Sequence, residues 1–206
     1  MSGTSRGVGI LAYGSLIDEP GKEIANATIH TRPNIVTPFN LEFARRSRSR
    51  GGAPTLVPVA HGGNPVVGQV FVLDVPEDEA ASRLWRREVR KVGSGRNYVA
   101  PKEIGPNTVV VRRLEDFAGL DVVLYADITA NIEPLTAEVL ADLAIESVGN
   151  TSLGQDGISY LIAAKNNGIA TPLSAQYETE ILRRSGCASI EDALATLQEK
   201  REGGKA

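Results

Sequence analysis

Hydrophobic residues follow two rhythms along this chain. Short apolar runs broken by Gly, Pro and Asn fill the first two-thirds, and a three-to-four-residue spacing takes over afterwards. The short runs predict strands over 8–13, 35–43, 54–60, 66–74, 97–103, 108–113 and 121–128. The segment 66–74, VVGQVFVLD, is the clearest, being rich in β-branched and aromatic residues that suit a pleated, buried surface. One helix interrupts the strands. Pro76 followed by Glu77, Asp78 and Glu79 suits a helix N-terminus, where the macrodipole favours negative charge. Leu84, Trp85, Glu88 and Val89 then share one helical face, Arg83, Arg86, Arg90 and Lys91 form the expected charged outer face, and Gly93 closes the element.

From Leu135 the period becomes helical. Leu135, Val139, Leu143 and Val148 make one apolar stripe that closes near Gly149 and Asn150. Further helices are predicted over 158–167, stopped by Gly168, over 172–184, and over 189–200, opened by the capping pattern of Ser189 and Asp192. The tail 201–206 reads as frayed, and 1–6 as a short polar lead with no apolar signal region after it. Strands first and helices later predict an α+β fold. Its sheet is expected to close into a small mixed-strand β-barrel, with flanking helices and a helical C-terminal part. A single domain over 1–206 is expected, strand-rich over 8–130 and helical over 135–200.

Composition narrows the chemistry. A net charge of −3 over 206 residues gives no global reason to expect nucleic acid or an anionic membrane as partner. The apolar runs are strand-length, too short to span a bilayer. Cys187 is the only cysteine, so no internal disulfide can form, and a reducing, cytoplasmic compartment is the expectation. His30, His61 and Cys187 offer no zinc-ligand spacing, and neither a phosphate-binding loop nor a nucleophile elbow is present in the sequence.

Three constellations could carry chemistry. The run Ile10 to Leu16 ends an apolar strand in Tyr13, Gly14, Ser15 and Leu16. Gly14 can take a positive φ and let backbone approach a ligand, which leaves the amides of residues 14–16 to bind a carboxylate or an oxyanion. Glu88 shares the buried-side face of its helix with Leu84 and Trp85. A carboxylate there with little charge compensation has its pKa raised and serves as base and then acid. The plainer reading is a structural ion pair with Arg87 or Arg45. Tyr13, Tyr98, Tyr125 and Tyr160 stand at a strand end, after a glycine turn, within a strand and at a helix start, and for any one of them taken singly amphipathic core packing is the plainer reading. The basic run from Arg45 to Arg50 lacks interleaved aromatics and reads as a solvated loop, although one of its arginines could reach a substrate carboxylate.

Several of these motifs occur in an order that resembles the γ-glutamylcyclotransferase-like superfamily, which includes the ChaC-type proteins. Tyr13-Gly14-Ser15-Leu16 is similar to the family's opening loop, and 43–58, FARRSRSRGGAPTLVP, to its phenylalanine, serine and Gly-Gly-Ala stretch. Val67-Gly68-Gln69-Val70-Phe71 resembles the following strand. Glu88 falls where the family carries its catalytic glutamate, ahead of Gly93, Gly95 and Tyr98. The segments 160–168 and 174–177 resemble the late helical part. The likeness runs in order over about residues 8–186, with a longer interval between Glu88 and Tyr98 and an insertion-like segment at 151–157.

The resemblance implies cyclisation of a γ-glutamyl group to 5-oxoproline with release of an amine or amino acid. Glu88 would be the general base and acid, and Tyr13, Gly14, Ser15, Leu16, Tyr98, Tyr125 and Tyr160 the substrate-binding residues. The substrate's own α-amine is the nucleophile in that reaction, so neither a protein nucleophile, a cofactor nor a metal is implied. The implied partner is a small γ-glutamyl compound, with no nucleic acid and no membrane, and the oligomeric state is left open. A hydrolase or acyltransferase acting on γ-glutamyl amides, or a γ-glutamyl-binding protein without catalysis, remain the alternatives on the same fold.

Overall fold

The computed structural model describes residues 7–203; the lead at 1–6 and the last three residues of the predicted tail lie outside the described residues. The chain is mixed α+β and divides into two compact units, Met1–Thr37 with Val67–Thr129, and Pro38–Val66 with Ala130–Ala206.

The first unit is built on five strands, β1 (Val8–Ala12), β2 (Thr28–Val36), β5 (Val67–Leu73), β6 (Val110–Phe117) and β7 (Leu120–Asp127), in the order β2-β5-β1-β7-β6. β1 runs antiparallel to β5 and parallel to β7. Ile10 and Ala12 point to one face, where Phe71, Leu73 and Leu124 join Leu16, Ile24, Ala80 and Leu84 from three helices. These helices are α1 (Ser15–Asp18), α2 (Lys22–Ala27) and α3 (Glu77–Glu88). Leu11, Val70 and Val123 are buried on the opposite face, which explains why β1 reads as a continuous apolar run rather than an alternation. On that face a Cβ at Gly9 would lie 2.8 Å from each of Val70, Leu120 and Val123. Side chains from both neighbouring strands therefore converge over β1 at Gly9. Arg32 of edge strand β2 donates to the carbonyl of Ala118 in the β6–β7 turn, drawing the two outer strands toward each other.

The second unit pairs β3 (Leu41–Ser47) with β4 (Ala53–Pro58) across a 3₁₀ turn at Arg48–Arg50, and packs this hairpin with four helices. The helices are α4 (Ala137–Asn150), α5 (Gly157–Asn166), α6 (Ser174–Ser185) and α7 (Ile190–Gly203). They follow the predicted spans closely, and α7 continues through Arg201–Gly203 where fraying was expected. The Thr136 side chain caps α4, and Asp156 caps α5 through the Ser159 amide. No helix among the described residues is long and apolar enough to cross a membrane.

Several expected elements are corrected. The predicted strand 35–43 is the end of β2 and the start of β3, separated by a break at Thr37–Asn40. Most of β2 escaped the apolar pattern because it is an exposed edge strand, TIHTRPNIV, in which Pro33 is tolerated for the same reason. The segment 97–103 is irregular backbone, not a strand. Its amides and carbonyls are met by side chains instead, with the Tyr98 amide donating to Ser82 Oγ at 3.0 Å and Arg86 donating to the Arg96 carbonyl at 2.7 Å. Arg86, expected on the solvent face of α3, is only 4% exposed, because Glu23 and Glu79 meet its guanidinium at 2.7 and 3.1 Å.

Candidate functional site

Strand β1 delivers the first component of the site. Its apolar residues anchor the chain in the core up to Ala12, and the backbone then turns at Gly14 with φ 56°. That is the left-handed region expected for this position, where a Cβ is strongly disfavoured. The Gly14 carbonyl accepts from the Ile17 amide at 3.2 Å and the Ser15 carbonyl from the Glu19 amide at 2.9 Å, which folds the loop into the single turn α1. First-turn amides of a helix have no partner within it, so those of Ser15 and Leu16 point out of the turn. The Leu16 side chain is buried in the core, so only its backbone can serve a ligand.

Helix α3 delivers the second component. Ala80 and Leu84 seat it on the sheet, and Glu88 follows one turn later as its last helical residue. The Glu88 side chain is 24% exposed and forms an ion pair with Arg87, whose Nη1 lies 2.8 Å from Oε1. Arg87 also donates from Nη2 to Ser15 Oγ at 3.2 Å and from Nε to the Glu19 carbonyl at 3.0 Å. One guanidinium thus links the Tyr13–Leu16 loop to Glu88. The ion-pair partner anticipated for Glu88 is Arg87; Arg45 belongs to the second unit. Glu88 Oε2 accepts no hydrogen bond among the described residues.

The tyrosines take separate positions. Tyr98 packs its ring against Trp85, with centroids 6.5 Å apart, and its hydroxyl accepts from the Val111 amide at 3.1 Å. Through Trp85 it stands beside the same helix end as Glu88. Tyr13 donates to the Ala126 carbonyl at the end of β7. Tyr125 lies on β7 with its side chain on the face opposite Leu124, hence opposite the α3 side of the sheet. Burial first, and then the nearby Asp127, push its phenol up, with Arg112 opposing them. Tyr160 belongs to the second unit, where its hydroxyl accepts from the Leu56 amide at 3.3 Å and Arg50 lies over its ring at 5.1 Å.

Sequence reasoning did not foresee two features. Arg87 was considered only as a structural partner for Glu88, although its place beside that residue was legible; its reach to Ser15 and Glu19 was not. In the second unit Glu42 is a buried carboxylate, accepting from the Phe43 amide at 2.8 Å, Thr171 Oγ1 at 2.5 Å and the Leu173 amide at 3.3 Å. Nothing in the strand pattern around Glu42 distinguishes it from an outward-facing residue. Among the described residues no group of three His, Cys, Asp or Glu could hold a metal ion. No protein-family model matches this chain, and no curated protein matches it.

Proposed function

We propose that this chain is a γ-glutamylcyclotransferase-type enzyme that converts a γ-glutamyl peptide or amine to 5-oxoproline and the free amine. The observation that carries the reading is the Arg87 bridge. It joins Ser15 of the Tyr-Gly-Ser-Leu loop to Glu88, two motif residues far apart in sequence, within one hydrogen-bonded group. The positive φ of Gly14 adds support, because it gives the loop the backbone approach that the chemistry needs. In this reading the sheet of the first unit corresponds to the small barrel of that family, with its outer strand β2 linked to the β6–β7 turn through Arg32 and Ala118. A reducing, cytoplasmic setting suits the lone Cys187.

The chemistry requires little equipment. Glu88 Oε2 takes a proton from the substrate's α-ammonium, and the freed amine attacks the γ-amide carbonyl of the same molecule. A five-membered ring makes this attack effectively unimolecular once the glutamyl chain is folded. The loop amides at residues 14–16 bind the tetrahedral oxyanion. Glu88 then returns its proton to the leaving amine, and the carbon–nitrogen bond of the amide breaks. The ring nitrogen gives up its second proton to Glu88 and on to the departing amine, which leaves as an ammonium as 5-oxoproline forms. Tyr98 borders the site beside Trp85, and Tyr13 opens the loop itself.

The Arg87–Glu88 ion pair also favours a second reading, a γ-glutamyl-binding protein in which Glu88 only holds the loop. Incubation with glutathione, γ-glutamyl dipeptides, γ-glutamyl polyamines and ε-(γ-glutamyl)lysine decides between the two. Release of 5-oxoproline supports cyclotransfer. Free glutamate replaces it with hydrolysis, and binding without either product leaves the second reading.

A further inference from the structure

We propose that Arg87 is the side chain that reads the α-carboxylate of the glutamyl group. This rests on the cyclotransferase reading and names the residue behind a requirement that the product, 5-oxoproline, already carries. A free glutamyl head carries an ammonium and a carboxylate on one carbon. Arg87 and Glu88 present the complementary pair, a guanidinium and a carboxylate held 2.8 Å apart on consecutive residues. If Glu88 receives the ammonium, the adjacent positive charge falls beside the substrate's carboxylate.

Arg87 is held in place yet has donors to spare. Its Nε is tied to the Glu19 carbonyl, and its stem packs on Gly21, where an added Cβ would be 3.5 Å from Arg87 Cγ. A guanidinium has five N–H groups. Glu19, Glu88 and Ser15 use three of them, one on each nitrogen. The two that remain sit on the terminal nitrogens Nη1 and Nη2, the pair that engages carboxylates in a bidentate manner. Ser15 Oγ accepts from Nη2, so its own hydroxyl proton stays available to the same ligand. An arginine serving only the fold has no need of an open fork next to a carboxylate that itself keeps a free oxygen. The side chains of Arg87 and Glu88 are 15% and 24% exposed, which leaves both edges reachable.

The test compares a γ-glutamyl dipeptide with its counterpart amidated at the α-carboxyl, using the parent protein and the Arg87→Met and Arg87→Lys variants. The parent should prefer the free acid by roughly 10–100-fold in kcat/KM, the range for hydrogen bonds to a charged group. Arg87→Met should bring that preference close to one, through KM more than kcat, and Arg87→Lys should restore part of it. A folded Arg87→Met protein that keeps the parental preference overturns the proposal. Calorimetric binding of 5-oxoproline and of 2-pyrrolidinone, which lacks the carboxylate, gives a readout that needs neither turnover nor the Met variant. Equal affinity of the parent for the two overturns the proposal as well. A parent that forms no 5-oxoproline but binds it over 2-pyrrolidinone, with the preference weakened in Arg87→Lys, sinks cyclotransfer while supporting the role of Arg87.

Discussion

Glu88 and Glu42 are both carboxylates drawn in from solvent, and their surroundings differ in a way that separates chemistry from architecture. Glu42 is 2% exposed and saturated: two backbone amides and a hydroxyl point at its two oxygens, all from the second unit. Glu88 is several times more exposed, has one partner, and keeps Oε2 open. A buried charge with a full set of fixed donors is a structural fastener, because any ligand would have to break bonds already made. A partly sheltered carboxylate with one oxygen free can exchange a proton with something that arrives. Partnering thus distinguishes the two residues, where burial alone would have chosen Glu42.

The largest effect should come from removing the proton acceptor. Glu88→Gln keeps the side-chain shape but cannot take the α-ammonium proton, so single-turnover formation of 5-oxoproline should fall by roughly 10²–10⁴-fold. Thermal stability should move by less than about 1 kcal/mol, the usual scale for a partly exposed ion pair. A Glu88→Gln protein with near-parental turnover, or one that melts early with activity in proportion to its folded fraction, would make Glu88 a second Glu42.

Gly14→Val attacks the other half of the site. The position has φ 56°, a region β-branched residues resist, and the added side chain would occupy the space that the ligand needs. Binding of 5-oxoproline should be lost while circular dichroism still reports the fold. Retained affinity would detach the loop from the site and leave Glu88 without its partner element.

Glu42→Gln inverts the first experiment. The new amide can still accept from Phe43 and Thr171, but its NH₂ would face the Leu173 amide, donor against donor. The expected cost is about 1–3 kcal/mol of stability, read by denaturant unfolding, with turnover per folded molecule unchanged. Loss of turnover without loss of stability would erase the contrast between the two carboxylates.

Much of this arrangement was legible in the sequence where local pattern and packing agree. The helices of the second unit were readable because their apolar spacing, caps and a terminal glycine point the same way, as at Ser189 and Gly168. The Gly14 turn and the helix that carries Glu88 were readable for the same reason, although that helix ends at Glu88 rather than at Gly93. Strand β2 and the segment around Tyr98 were not. An edge strand has no buried face to stamp an alternation on its sequence, and the backbone near Tyr98 is satisfied by Ser82 and Arg86 rather than by a ladder. Glu42 and Arg86 were hidden by a different cause. Their burial depends on residues distant in sequence, Thr171 and Leu173 for one and Glu23 for the other, which no local window contains.

Two tyrosines sharpen the comparison at smaller scale. Tyr98→Phe removes the acceptor for the Val111 amide in the unit that holds Glu88, and Tyr160→Phe removes the acceptor for the Leu56 amide in the unit that holds Glu42. Each should cost about 0.5–1.5 kcal/mol of stability. If Tyr98 also contacts substrate, KM should rise in its variant beyond what the loss of folded protein explains. Parental KM and kcat in Tyr98→Phe would return that tyrosine to packing alone.

The smallest effect, and the only one expected to be favourable, is at Tyr177. It is fully buried against Phe43, with ring centroids 5.5 Å apart, and its hydroxyl has no hydrogen-bond partner among the described residues. It is the reverse of Glu42, a polar group taken from water without compensation, and such a group costs stability. Tyr177→Phe keeps the ring and removes the orphan, so stability at neutral pH should rise by up to about 1 kcal/mol. Burial first, then Asp156 and Tyr160, push the Tyr177 phenol well above its usual range. Raised in the folded state, it stays protonated there after the unfolded chain has begun to ionise at about pH 10. Stability is therefore intact below that pH and is lost as pH rises further, since the unfolded state then gains free energy from ionisation that the folded state cannot match. Melting curves from pH 8 to 11 should show the parent losing stability more steeply than Tyr177→Phe at the alkaline end. Parallel curves, or a Phe variant less stable at neutral pH, would mean that the hydroxyl is satisfied and that the second unit holds its polar groups as completely at Tyr177 as at Glu42.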